Sequence, residues 1–184
     1  MSMLLLILGV ALWWGAHLFK RLAPDARAAM GDKGKGLMAV LLLASVVLMV
    51  VGYRGSDDAA QLWYPPAFFT HINNLLMLLA FYLFAADGVK ARAAIAMPNP
   101  QLTGFKTWAV AHLMVNGDLA SVILFGGLLA WAVVTVIVLK RSAPRPAKRA
   151  WGGVKAEIIA VVGTLVIFGA AAWIHDWLGY WPYG

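Results

Sequence analysis

From Leu119 to Leu139 the chain carries no charged side chain, and the run stops on two cations at Lys140-Arg141. A helix of about 20 apolar residues crosses the hydrocarbon core of a bilayer with its backbone polar groups bonded inside the segment. That run has counterparts along the whole chain, which is 62% hydrophobic and 12% charged, with a mean hydropathy of +0.79. A soluble domain of this size is nearer half apolar and a quarter charged. The expectation is an all-α, polytopic transmembrane helical bundle, a single integral membrane domain over residues 1–184 with no separate soluble part. Cysteine is absent, which excludes disulfides, thiolate metal sites, covalent c-type haem attachment and cysteine nucleophiles.

Taken in order, the first span runs from about Met3 to Phe19 and ends in Lys20-Arg21. It resembles a signal-peptide core, but its basic residues follow it, which favours an uncleaved anchor with its N-terminus outside. Its one polar side chain is His17. Leu37–Tyr53 is the second span. After the Trp63-Tyr64-Pro65-Pro66 interfacial anchor comes a third, about Ala67–Ala86, with His71, Asn73 and Asn74 in its first turns. The Asn pair reads as helix capping. The last span is Ile158–Leu178, ending in His175-Asp176-Trp177.

Charge placement decides how the middle of the chain crosses. The net charge is +7, yet 14 of the 15 basic residues sit in three stretches, Lys20–Lys35, Lys90–Lys106 and Lys140–Lys155. Lys and Arg accumulate on the cytoplasmic side and there meet anionic lipid, so the basic excess marks topology and not nucleic acid. With all three stretches inside, the segment between Lys106 and Lys140 must cross an even number of times. It reads as a helical hairpin, roughly Gly104–Val115 and Leu119–Leu139, turning at Asn116-Gly117-Asp118. Asn-Gly would supply a positive-φ turn position and Asp118 the N-cap of the second arm. This makes about six membrane crossings, five plus a short or re-entrant helix, with the basic loops cytoplasmic and both termini outside.

Ionisable groups inside a membrane are functional candidates by default. Helix rise sorts the four histidines by depth. His17 falls a residue or two from the inner end of the first span. His112, eight residues past Gly104, falls about 12 Å from the inner end of the fourth. His71 and His175 fall near outer ends. Two pairs follow, His17 with His112 and a second candidate site of His71 with His175. Imidazoles on two helices at one depth can take the two faces of a b-type haem. Gly104, Trp108, His112 and Asn116 recur every fourth residue on one helix face, where the glycine leaves room for a flat ring and the indole packs on it. The alternative is histidines that only hydrogen-bond a neighbouring helix, at roughly 0.6 to 2 kcal/mol each.

The stretch P-Q-x-x-G-x-x-x-W-x-x-A-H-L-x-x-N-G-D-L-A-S, from Pro100 to Ser121, resembles the signature of the NnrU family, small bacterial inner-membrane proteins associated with denitrification. L-x-x-G-x-x-H at His17 and H-x-W-L-G near His175 resemble the family's ends, so the likeness covers essentially the whole chain. The family is related to zeta-carotene isomerase, a haem b membrane enzyme that turns a cis double bond trans and is switched by a redox-linked ligand change. The resemblance implies haem b held by His112 and His17. Asn99 stands between Pro98 and Pro100, where family members commonly carry a histidine, which bears on any ligand switch.

Three functions are set by these observations. The first is a haem b protein supporting nitrite and nitric oxide reduction, with partners among the components of that reduction. The second is a haem-dependent cis–trans isomerase of a lipid-soluble polyene. The third is a non-enzymatic transport or assembly factor, gated where the helix breaks at Asn116-Gly117-Asp118. A lipid methyltransferase of the isoprenylcysteine type, similar only in the Pro100–Gly104 segment, ranks last.

Overall fold

The computed structural model describes residues 1–142 and 149–182 and is all-helical in its regular structure. The helices are α1 Ser2–Leu22, α2 Pro24–Ala29, α3 Lys33–Arg54, α4 Phe69–Val89, α5 Arg92–Ala96, α6 Pro100–Val115, α7 Leu119–Ser121, α8 Gly127–Ser142 and α9 Gly153–Trp177. A π-helical turn, Val122–Gly126, joins α7 to α8 in one continuous rod. Among the described residues five helices are long and apolar enough to cross a membrane: α1, α3, α4, the Leu119–Ser142 rod and α9. The sixth expected crossing is α6, which has 16 residues and rises about 24 Å.

Most helices run past the limits set by their uncharged runs, because basic residues continue the last turns instead of leaving the helix. Lys20, Arg21, Arg54, Lys140 and Arg141 are all helical. Lys and Arg are good helix formers, and their long stems let the charge reach the headgroups while the backbone stays deeper. Arg145 and Lys148, two of the six basic residues of the third stretch, lie outside the described residues.

The chain divides into two compact units. The first holds Met1–Tyr64 and Asn116–Ser142; the second holds Pro65–Val115 together with α9. In the first, α1 and α3 pack antiparallel: Leu6 meets Gly52, and Gly9 meets Ser45 and Met49. A Cβ on Gly9 would come within 2.8 Å of Met49, so glycine is what lets the helices approach so closely. The start of α8 lies against α1, where the Trp14 indole donates to the Gly127 carbonyl at 3.0 Å. Ser45 Oγ donates to Leu42 O within its own helix at 2.7 Å, which satisfies a hydroxyl without calling on water.

In the second unit α6 and α9 both pack on α4 and run antiparallel to it. Gly104, near the start of α6, lies against Ala80 and Leu83 in the later part of α4. At the start of α9, Gly152 N donates to Lys90 O at 3.0 Å, and Ala160 packs with Ala86. Glu157 ties this end together, accepting from Arg92 N and Trp151 Nε1 at 2.8 Å each and from Tyr82 OH at 3.2 Å. The Arg92 guanidinium lies 4.4 Å over the Trp151 ring, and Arg149 pairs with Asp87. Elsewhere the long helices keep large aliphatic side chains outward, such as Leu43 at 66% and Val166 at 64% exposure. Such surfaces are stable where the solvent is hydrocarbon.

The Asn116-Gly117-Asp118 step departs from the tight turn expected of it. Gly117 does not have a positive φ. Instead its carbonyl accepts from Leu62 N at 2.7 Å and Trp63 N at 3.1 Å, and Leu119 N donates to Ala60 O at 2.9 Å. The segment is an extended pass laid along residues 60–63, with Gln61 bridged to Asp118. Glycine is required because a Cβ there would collide with the Trp63 carbonyl. Asp118 does cap the following helix: Oδ1 accepts from Ser121 N at 2.8 Å. The Asn73–Asn74 pair caps nothing; α4 has no side-chain cap, and Asn73 Nδ2 donates to Asn74 Oδ1 at 3.2 Å.

Candidate functional site

Three of the four histidines share one local construction. In each, the ring sits one helical turn above a backbone carbonyl and bonds to it through Nδ1. His17 bonds to Trp13 O at 3.1 Å, His112 to Trp108 O at 3.0 Å and His175 to Ala171 O at 2.7 Å. A carbonyl only accepts, so Nδ1 carries the proton in each bond. The neutral imidazole then has its lone pair on Nε2, the arrangement in which a ligating histidine has its ring oriented by a backbone partner.

Two of these histidines also follow a tryptophan by four residues, which puts indole and imidazole on one helix face. The Trp13 and His17 ring centroids are 4.1 Å apart, and those of Trp108 and His112 are 5.1 Å apart. In the first unit Trp131 completes the group, with its centroid 4.7 Å from His17 and 5.4 Å from Trp13. In the second unit Phe105 extends the aromatic row along α6, 5.1 Å from Trp108.

The second unit brings His112 and His175 together. Both lie in the last turns of their helices, and their ring centroids are 6.5 Å apart at an interplanar angle of 48°. The depth reckoning that set His112 toward the inner end started its helix at Gly104. The helix starts at Pro100 and ends at Val115, and His112, three residues from that end, lies in the last turn, where α9 finishes and α4 begins. His71 is at that end too, exposed in the first turn of α4. His17 belongs to the first unit, among Trp13 and Trp131.

The other residues of the expected face divide differently. Trp108 stays beside His112, and Asn116 lies just past the end of α6. Gly104 is a helix-packing residue: a Cβ would meet Ala80 O at 2.8 Å and Leu83 Cβ at 3.2 Å. The space it opens is occupied by α4.

A family model described as NnrU protein matches residues 5–182. The chain belongs to the NnrU family. No curated protein and no solved structure matches it. The matched stretch takes in all four histidines and both compact units. Five helices able to cross a bilayer are in keeping with a membrane protein of this family.

Two features of this NnrU chain went unread in its sequence. One is the Trp13–His17–Trp131 group, signalled only by the repeated Trp-x-x-x-His spacing at Trp13 and Trp108. The other is a hydroxyl chain built on the cap. Ser121 Oγ donates to Asp118 Oδ2 at 2.6 Å and lies 2.9 Å from Tyr53 OH, which is positioned to donate to it. The Asp-x-x-Ser spacing marks the first link; nothing in the sequence marks Tyr53.

Proposed function

We propose that this NnrU-family membrane protein binds haem b at the ends of α6 and α9 in its second unit, where His112 and His175 would hold it. The observation that carries the reading is the juxtaposition of two imidazoles whose Nδ1 atoms are both committed to backbone carbonyls. The two ring centroids are 6.5 Å apart. Among the described residues no cluster of three or more His, Cys, Asp or Glu is placed to hold an ion. Two protein ligands are too few for a closed zinc site but suffice for haem, whose porphyrin supplies the other four. Asn73 Oδ1, at the same end of the unit, is buried without a hydrogen-bond donor.

The protein's own part is orientation of the rings. The Trp108 and Ala171 carbonyls hold the two imidazoles in one tautomer, and Trp108 and Phe105 line an apolar wall beside His112. Haem bound there would supply one-electron chemistry beside this wall. With the basic loops cytoplasmic, the His112 end of the unit faces the periplasmic side of the inner membrane. The role that follows is support of nitrite and nitric oxide reduction, as the family resemblance implies. A pyridine haemochrome assay of the purified protein is expected to give one b-type haem per chain. Its absence after haem-sufficient expression would overturn the reading.

A second reading, a transport or assembly factor, has one observation on its side: the π-helical turn at Val122–Gly126 directly after the Asn116-Gly117-Asp118 pass. Such turns recur at functional sites. This reading requires neither haem nor His112, so the same assay separates the two. Isomerisation of a polyene would require, beyond haem, product formed from a supplied cis-carotenoid.

A further inference from the structure

The first unit carries an open groove of about 510 Å³ lined by Ile7, Val10, Ala11 and Trp14 of α1 and by Ile123 and Gly127 opposite. The lining's one polar side-chain group, the Trp14 indole N–H, donates to Gly127 O at 3.0 Å, so the groove offers an occupant hydrocarbon contact alone. The two helices that form it run in the same direction. Val10 lies against Gly127, and further along both helices the His17 and Trp131 rings are 4.7 Å apart. Both helices end in cations, Lys20-Arg21 and Lys140-Arg141. Seven residues make nearly two turns, so Ile7, Trp14 and Arg21 fall on one line along α1. Arg141, two such steps past Gly127, falls on the matching line of α8. Lys33, at the start of the antiparallel α3, stands at the same end.

That end has more cations than its carboxylates can pair. Asp32 is taken by Lys35 at 2.8 Å, and Asp25 sits in the first turn of α2, where a helix favours negative charge. Among the described residues Lys20, Arg21, Lys33, Lys140 and Arg141 are exposed and form no ion pair. Depth links these cations to the groove. Counting back from Arg21, α1 reaches Trp14 after about 10 Å and Ile7 after about 21 Å. One leaflet of the hydrocarbon core is about 15 Å deep, so the groove lies where the lower part of an acyl chain runs when its headgroup is beside Arg21. We propose that the first unit binds an anionic phospholipid of the cytoplasmic leaflet, with an acyl chain in the groove and the phosphate at the Arg21 and Arg141 end. Guanidinium groups match phosphate oxygens in paired hydrogen bonds. A zwitterionic lipid fits the groove equally well but brings a quaternary ammonium among the cations.

The test is native mass spectrometry of the full-length protein, delipidated in detergent and titrated with dioleoyl phosphatidylglycerol or dioleoyl phosphatidylcholine. The anionic lipid is expected to bind about tenfold more tightly, as one to two cations at a membrane surface would give. Arg21→Gln combined with Arg141→Gln should bring the two lipids level while phosphatidylcholine binds as before. Ala11→Phe, at an exposed position, should fill the groove and weaken both lipids, with helicity by circular dichroism unchanged. Glycerophosphoglycerol, the headgroup without chains, should not displace the lipid at equal concentration. Equal affinity for the two lipids, a preference that survives the double variant, Ala11→Phe without effect, or displacement by the bare headgroup would each overturn the proposal. So would a dimer mass that Ala11→Phe abolishes, because a second copy would then be the occupant. None of these readouts depends on haem in the second unit, so the two proposals stand or fall separately.

Discussion

His112 and His175, 63 residues apart in the chain, end with their ring centroids 6.5 Å apart in the last turns of two helices that both pack on α4. Each ring is held from behind by its own helix, so the pair is oriented before any ligand arrives. Such preorganisation lowers what binding must spend on ordering side chains. It makes the second unit the place to look for a cofactor.

The packing of that unit depends on Gly104. A methyl group there would press on the Ala80 carbonyl at 2.8 Å and on Leu83 Cβ at 3.2 Å, and neither is the end of a flexible side chain that can swing away. Gly104→Ala is expected to cost about 1–3 kcal/mol, the usual penalty of overpacking. Thermal unfolding in detergent should show a lower Tm. An unchanged Tm would mean that α4 and α6 are not packed as described.

The extended pass at Asn116-Gly117-Asp118 separates two contributions. Asp118→Ala removes the cap on Ser121 N and the bond to Ser121 Oγ, at about 1 kcal/mol for the cap alone. Asp118→Asn keeps an acceptor and should recover much of the loss. Gly117→Val is expected to be worse than either, because it drives a side chain into the Trp63 carbonyl and parts the pairing with residues 60–63. Limited proteolysis of the Gly55–Tyr64 loop reads the order of the three.

Much of this architecture was legible in the sequence, for physical reasons that name its limits. Uncharged runs located the five long helices, and Asp118 before an apolar run announced its cap. The partners of those helices were not legible, because lipid-facing and helix-facing residues are equally apolar and no amphipathic stripe separates them. Gly104 therefore read as open space, when α4 fills it. Gly117 read as a turn, when its role is close approach to another backbone. The start of the helix holding His112 was set four residues late, at Gly104, since Pro100 suits a first helical position as well as it suits a loop.

Membrane orientation rests on where the basic residues lie, and a chain without cysteine makes it simple to measure. Single cysteines at Asp58 and Gly31 fall in loops on either side of α3. A membrane-impermeant thiol reagent applied to intact cells should label Asp58→Cys and spare Gly31→Cys until the membrane is opened. The reverse pattern would invert the topology and move the His112–His175 end to the cytoplasmic side.

At the basic end, Glu157 joins α4, the segment at Arg92 and Trp151 through three hydrogen bonds. Glu157→Ala should speed amide exchange at Arg92 and leave the amides of α6 near His112 unchanged. Faster exchange throughout the unit would show that the network supports the whole packing instead of one end.

The central claim is that His112 and His175 form the haem site. The most direct measurement is the absorption spectrum of detergent-purified protein, oxidised and then dithionite-reduced, beside His112→Ala, His175→Ala and His17→Ala. The account predicts a Soret band with sharp reduced α and β bands in the wild type, lost in the first two variants and kept in the third. Colourless wild-type protein from haem-replete cells, or bands that survive His112→Ala, would contradict it.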